Sequence, residues 1–298
     1  MARRRAAIAS ALALGAYACA AHIVACSSSV PTIKSYEACA DLAKAQCTES
    51  QACAPAEFQA LYADEVSCEA REEAACTNAL EAPSTALSGT LVEQCAQAYA
   101  AWTCPSYRAR NTPQECLPPI GARSSGAACA FSGQCESAFC AVGAASVCGV
   151  CAPRPQPGDV CASNATACGA ILVCLQSVCT APATQGQPCD AATPCVGGES
   201  CVGAMGAMPG FCEASGSTAG AACDATLATG PDCAASVGLT CVAGQCAASG
   251  AAAAAFAADG ASCDAVAGPP CAAPARCVVA DGGTAGTCQL PNAGACDG

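Results

Sequence analysis

Hydrophobic positions fall into two regimes along the chain. Between Thr32 and Cys116, Tyr36, Cys39, Ala43 and Cys47 recur at intervals of three to four residues, as do Phe58, Leu61 and Tyr62, and later Cys95, Tyr99 and Trp102. That interval stacks side chains on one face of an α-helix and predicts a small all-α domain over residues 32–118. Thr90 followed by Glu93 predicts a capping box at the start of the last helix, and Pro105 predicts that helix's end. Past the segment LPPIGARSSG, residues 117–126, the helical interval stops.

A register of glycine and cysteine replaces it. The unit is Gly-x-x-Cys followed by three more cysteines. It runs from Gly126 through Cys129, Cys135, Cys140 and Cys148, then from Gly158 through Cys161, Cys168, Cys174 and Cys179. The third begins at Gly186 with Cys189, Cys195, Cys201 and Cys212, and the fourth at Gly220 with Cys223, Cys233, Cys241 and Cys246. The fifth begins at Gly260 with Cys263, Cys271, Cys277 and Cys288. Boundaries follow at 126–157, 158–185, 186–219, 220–259 (which ends in the low-complexity stretch SGAAAAAFAAD) and 260–298. Cys151 and Cys296 are left over, and Cys296 sits in Gly-Ala-Cys, which reads as a sixth unit cut short.

Composition explains the change of regime. Cysteine contributes 32 of 298 residues, above the roughly 8–10% that marks disulfide scaffolds. From Gly126 to Gly298, Ile, Leu, Val and Phe together number 23 in 173 residues, too few for an ordinary core. A unit of this length cannot bury enough surface to fold unaided, whereas each disulfide contributes about 2–4 kcal/mol by restricting the unfolded chain. The predicted class is therefore a small disulfide-rich fold: an N-terminal all-α disulfide-stapled domain followed by a tandem array of short loop-rich four-cysteine modules. Glycine before each first cysteine is expected at positive φ. Each module is expected to owe its order to its own two disulfides and to touch only its neighbours, in an elongated array. The larger side chains Trp102, Tyr99, Phe58 and Leu61 are expected inside the helical domain.

The helical domain holds Cys39, Cys47, Cys53, Cys68, Cys76, Cys95, Cys104 and Cys116, and the repeats hold twenty-two more. Both counts are even, which predicts fifteen disulfides with none crossing near Gly126. Cys39/Cys47 and Cys68/Cys76 share one spacing, so two antiparallel helices can be stapled as Cys39–Cys76 and Cys47–Cys68, one of roughly a hundred connectivities open to eight cysteines. Within modules, first-to-third and second-to-fourth pairing is expected.

The first residues read as an export signal: Arg3, Arg4 and Arg5, then an Ala/Leu/Ile run of about sixteen residues, too short for a bilayer core of roughly 30 Å. The run ends in Ile23-Val24-Ala25-Cys26, which resembles the lipobox of bacterial lipoproteins. That resemblance implies removal of residues 1–25, lipidation of Cys26 as the mature N-terminus, a tether over 26–31, and a membrane partner reached through the lipid anchor. The implied location is the cell envelope, at the outer membrane or cell surface. A signal cut near Ala18 or Ala20 without lipidation is the alternative. The repeats, with CESAFC, CGVC and CGAILVC, resemble modules of the Dickkopf N-terminal type and other four-cysteine extracellular repeats. The whole layout is similar to cysteine-rich lipoproteins of GC-rich bacteria. The match lies in Cys and Gly positions, so no binding residue is implied.

Charge and the missing residue types narrow the chemistry. The formal charge is -12, and nucleic acid is not an expected partner of such a surface. The single histidine, His22, lies in the export segment, so a Ser-His or Cys-His pair is unavailable and no enzymatic activity or cofactor is expected. CGVC, residues 148–151, matches a redox pair, but the APRPQP that follows cannot supply the helix such a pair needs. Cys151 is read instead as an extra half-cystine. Zinc sites want paired C-x-x-C or histidine, and no metal is expected. Asn164-Ala165-Thr166 forms a glycosylation sequon. Two functions remain: an extracellular module for a protein or glycan ligand, and a structural spacer or envelope coat. Interface anchors in the repeats are confined to Phe131, Phe139, Phe211, Phe256, Arg154 and Arg276.

Overall fold

The helical periodicity resolves, in a computed structural model, into α1 (Ser35–Cys53), α2 (Pro55–Leu61), α3 (Glu65–Leu80), α4 (Gly89–Ala100) and α5 (Cys104–Arg108). The structure describes residues 35–143, 145–161, 168–169, 171–249, 255–264, 266–279 and 283–296. The export segment, Cys26, the tether, the Asn164 sequon and part of the alanine stretch lie outside the described residues.

Local chemistry sets the helix ends. Asp64 opens α3 by accepting the Ser67 amide at 2.7 Å, and Ser88 opens α4 by accepting the Leu91 amide. The expected Thr90–Glu93 capping box does not form, because Ser88 already caps this helix and the Glu93 carboxylate accepts from the Gln97 side chain at 3.0 Å instead. Pro105 lies beyond the end of α4, in the first turn of α5, where a missing N–H costs nothing.

Helix α1 packs against both α3 and α4. Ala38, Cys39 and Val92 are buried there against Leu42, Cys76, Leu80 and Leu87, and a second cluster joins Cys47, Phe58, Tyr62 and Cys68. Leu61, expected inside, is 38% exposed. The chain turns extended at Tyr62 directly after α2, and it is the Tyr62 ring that enters the core, 5.4 Å from Phe58. Cys39–Cys76 and Cys47–Cys68 staple α1 to α3, and Cys53–Cys104 and Cys95–Cys116 tie in the remainder.

Among the described residues, five small antiparallel sheets lie beyond the helices. The first has β1 (Ala128–Cys129), β2 (Cys140–Val142) and β3 (Gly149–Cys151); the second has β4 (Val173–Leu175) and β5 (Val178–Thr180). The third has β6 (Pro188–Cys189), β7 (Glu199–Val202) and β8 (Gly210–Ala214); the fourth has β9 (Leu239–Val242) and β10 (Gln245–Ala248). The fifth has β11 (Ser262–Asp264), β12 (Arg276–Val279) and β13 (Ala285–Gln289). In the three-stranded sheets the last strand lies in the middle.

One brace recurs in all five. Gly126, Gly158, Gly186, Gly220 and Gly260 all adopt positive φ, and their amides donate to the carbonyls of Cys151, Cys179, Cys212, Cys246 and Cys288 at 2.8–2.9 Å. Each of those cysteines returns its own amide to a carbonyl one residue past the glycine, as Cys151 does to Ala127 at 2.8 Å and Cys288 to Ala261 at 3.0 Å. An L side chain at these glycines would strain the turn.

The disulfides follow the expected alternation, with one correction. Cys161–Cys174 with Cys168–Cys179, Cys189–Cys201 with Cys195–Cys212, Cys223–Cys241 with Cys233–Cys246, and Cys263–Cys277 with Cys271–Cys288 join first to third and second to fourth. In the first sheet the pairs are Cys129–Cys140 and Cys135–Cys151. Cys151 is therefore the fourth cysteine there, and Cys148 is the supernumerary one, bonded to Cys296. Register supplies the reason, since Cys151 stands directly across from Cys140 in the β2–β3 pair and Cys148 precedes the strand. Cys296 closes a long-range bond to Cys148.

Contacts are not confined to neighbours, contrary to expectation. Arg276 in β12 donates to the Gly143 carbonyl at 3.3 Å, and the Val279 amide to Ala145 at 3.3 Å, joining the fifth sheet to the first. Arg71 of α3 reaches the Ala272 and Ala273 carbonyls at 2.7 and 2.8 Å and pairs through both terminal nitrogens with Asp259. Gln134, fully buried, accepts from the Ala130 and Phe131 amides and donates to the Pro83 carbonyl at 2.9 Å. Gly197 lies so near the Arg108 carbonyl that a Cβ would come within 2.0 Å of it. The physical cause is the shortage of large side chains. Ala82, Ala130, Ala293 and Cys296 make one buried cluster only by pooling surface from three separate segments.

Two outcomes are expected. A non-reducing peptide map recovers Cys148 linked to Cys296 and Cys135 to Cys151; a Cys135–Cys148 peptide would reverse the assignment. Arg71→Ala, which strands two carbonyls and Asp259, lowers stability by about 2–3 kcal/mol in denaturant unfolding with disulfides intact, and an unchanged midpoint would remove Arg71 from the docking account.

Candidate functional site

All thirty cysteines of the described residues are half-cystines. Their sulfurs cluster, and in Cys129, Cys135 and Cys151, or Cys263, Cys271 and Cys288, three sulfurs lie within 4.8 Å of one another. Bonded as disulfides they are neither nucleophiles nor metal ligands, both of which require thiolate. The CGVC stretch is no redox pair, since its two cysteines belong to different disulfides. Cys26, the lipidation site, lies outside the described residues.

A loop links the first cysteine of each set to its second. Three of these loops share a device that sequence reasoning missed, an aspartate immediately after the first cysteine. Asp190 accepts from the Ala192 and Thr193 amides at 2.8 and 2.7 Å. Asp224 accepts from both amide and hydroxyl of Thr226 and of Thr229, at 2.6–3.0 Å. Asp264 accepts from the Val266 and Ala267 amides and from the Thr284 hydroxyl. Each carboxylate substitutes for a backbone acceptor and folds its loop locally. The Cys-Asp dipeptide at Cys189, Cys223 and Cys263 was a legible signal for it.

These bonds set the carboxyl chemistry. The Thr226 hydroxyl, then the Thr229 and Thr226 amides, hold Asp224 well below the usual carboxylate range. The Val266 and Ala267 amides, then the Thr284 hydroxyl, hold Asp264 low. In the helical part the signs are opposite. Burial pushes the Glu72 carboxyl up, although the Tyr62 hydroxyl donates to it and Arg71 lies nearby, and burial together with Glu72 pushes the Tyr62 phenol far above its ordinary value. Tyr107 donates to the Ser50 hydroxyl at 2.8 Å and stacks edge-on with Trp102, which stacks in turn with Tyr99. These polar atoms are partnered inside the helical part and stabilise it.

Of the six anchors counted in the repeats, three are used within the protein. Phe139 is buried, Phe131 packs against the shared alanine cluster, and Arg276 is committed to the Gly143 carbonyl. Phe211 is 55% exposed and Arg154 is exposed. The β7–β8 hairpin also exposes Met205 and Met208. Comparison with protein-family models, curated proteins and solved structures finds no match to this chain.

The carboxyls yield a pH prediction. A group whose folded pKa is depressed adds stability above its unfolded value, 3.8 for aspartate, and loses it as pH falls through the folded value. Asp224 and Asp264 are thus expected to titrate below 3.8 in carboxyl-carbon NMR, with the Thr226, Thr229, Val266 and Ala267 amides losing protection in the same interval. Glu72 acts in the other direction: with its pKa raised, its ionisation weakens the helical part as pH rises above 4.5. Midpoints at or above 3.8 for the two aspartates would contradict the loop account.

Proposed function

We propose that the chain is a non-enzymatic, exported, membrane-anchored lipoprotein that presents disulfide-stapled repeats for extracellular interaction. The observation that carries this reading is that every cysteine of the described residues is oxidised, a state characteristic of exported proteins in oxidising compartments. The five sheets share one pairing scheme and one glycine brace, which supports reading them as tandem copies of a single four-cysteine module, similar to the Dickkopf N-terminal type. The helical part serves as their platform. Loops fixed by two disulfides and an internal carboxylate hold their side chains in place before any ligand arrives, which lowers the entropy cost of binding a protein or glycan. Among the described residues no helix is long and apolar enough to cross a membrane; the proposed attachment is the lipid on Cys26.

A second reading, a protease-resistant spacer or coat, is favoured by the inward use of Phe131, Phe139 and Arg276, which leaves few anchors for an interface. Capture experiments with the disulfide-intact ectodomain separate the two: a saturable protein or glycan ligand supports the first, and none across envelope extracts and glycan arrays supports the second.

The anchor is tested separately. Expression with a fatty-acid analogue is expected to label the mature protein, its intact mass beginning at acylated Cys26, and Cys26→Ser is expected to release it from the membrane fraction. An unlabelled chain beginning at Ala21 would overturn the lipoprotein reading.

A further inference from the structure

Metal chemistry on this surface is limited by which donors remain. Every described thiol is closed in a disulfide, and the single histidine, His22, lies outside the described residues. The soft donors left among the described residues are the thioethers of Met205 and Met208.

Their placement is specific. The Met205 amide donates to the Met208 carbonyl at 3.1 Å and the Met208 amide to the Met205 carbonyl at 3.0 Å, so the two form a hydrogen-bonded antiparallel pair around the Gly206-Ala207 turn. Residues opposed in this way stand about 5.5 Å apart at Cα with their side chains on the same face. The pair lies in line with the register in which Val202 faces Phe211, beyond a bend at Gly203, which adopts positive φ and donates its amide to the Leu227 carbonyl at 2.7 Å. Space beside Gly203 is open, with nothing within 4 Å of where its Cβ would stand. Met205 and Met208 are 61% and 60% exposed. Two flexible thioethers therefore stand side by side in water at the tip of a hairpin anchored by Cys189–Cys201 and Cys195–Cys212.

We propose that Met205 and Met208 form a two-thioether clip for a soft monovalent cation, copper(I) or silver(I). Thioether sulfur selects copper(I) over the harder divalent ions that prefer imidazole or carboxylate. A thioether carries no proton at neutral pH, so ion capture releases none, and it cannot be lost to disulfide formation. It thus remains a ligand in the compartment that oxidises thiols. Three side-chain torsions let each sulfur turn toward a shared ion, and the overall charge of -12 favours cations near the surface. Ion capture at this hairpin is independent of whether the repeats bind a protein or a glycan.

The test uses the disulfide-intact chain with carbon-13 in its methionine methyl groups, which contains three methionines in all. On titration with silver(I) nitrate, the Met205 and Met208 signals are expected to move together and saturate at one ion per chain. Zinc(II) is expected to move neither. Met205→Leu and Met208→Leu are each expected to weaken silver binding at least tenfold while amide signals of Cys201 and Cys212 stay at their parent positions, which shows the hairpin intact. Competition with a chromophoric copper(I) chelator should report the same loss. Two signals that titrate independently, saturation at two ions, or a Met208→Leu chain that binds silver as tightly as the parent would overturn the clip.

Discussion

The third and fourth cysteines of each sheet stand directly opposite one another across a hairpin, as Cys201 does to Cys212 and Cys277 to Cys288, yet they do not bond to each other. Each reaches back to an earlier cysteine, one on the incoming segment and one in the loop. Bonding across the hairpin would only have reinforced a pairing the backbone already makes. Bonding backward draws three segments into one place, and the buried centre of the unit becomes sulfur, as where Cys129, Cys135, Cys140 and Cys151 form the cluster with Val142 at its margin. The long loops, the scarcity of aliphatic residues and the glycine brace are all tolerable because of that crossing.

A centre of four half-cystines is complete in itself but offers little surface with which to hold a neighbour. Beside the pooled alanine cluster and the Cys148–Cys296 bond, association in this protein therefore draws on single polar side chains sunk between segments. Arg71 satisfies two carbonyls of the fifth unit and the Asp259 carboxylate that precedes it, and Gln134 satisfies two amides of its own loop and a carbonyl of the helical part. Polar contacts of this kind are directional, and a buried partner left unbonded is costly. They specify one docking arrangement where an alanine-lined face would accept several.

Much of this was legible from residue spacing. The helical interval marked the α region, the shared spacing of Cys39/Cys47 and Cys68/Cys76 matched the staple between α1 and α3, and Gly-x-x-Cys marked the five braced glycines. The misassignment of Cys148 had a readable remedy. In the other four units the third and fourth cysteines are five or eleven residues apart, a spacing that Cys140 makes with Cys151 and not with Cys148. Strand pairing demands that register, and counting cysteines in order does not see it. The docking contacts left no trace in periodicity, because Arg71 and Gln134 occupy positions a surface residue could hold equally well. Their partners are backbone carbonyls and amides, which every sequence supplies.

The single long-range bond between Cys148 and Cys296 changes what a break in the chain would mean. Between Cys39 and Cys116 every peptide bond is spanned by at least one of four disulfides, and between Cys129 and Cys296 every one is spanned by the remainder. A cut at any loop tip in those intervals leaves one covalent molecule, a nicked protein that sheds no fragment until it is reduced. Residues 117–128 are the exception, with no disulfide across them, and they are held by hydrogen bonds such as Ala122 to Ser84 at 3.1 Å and Gly121 to Cys135 at 2.9 Å. Covalently the described chain is two closed bodies on one thread, and a single cut in that thread leaves no covalent link between the sheets and the helices.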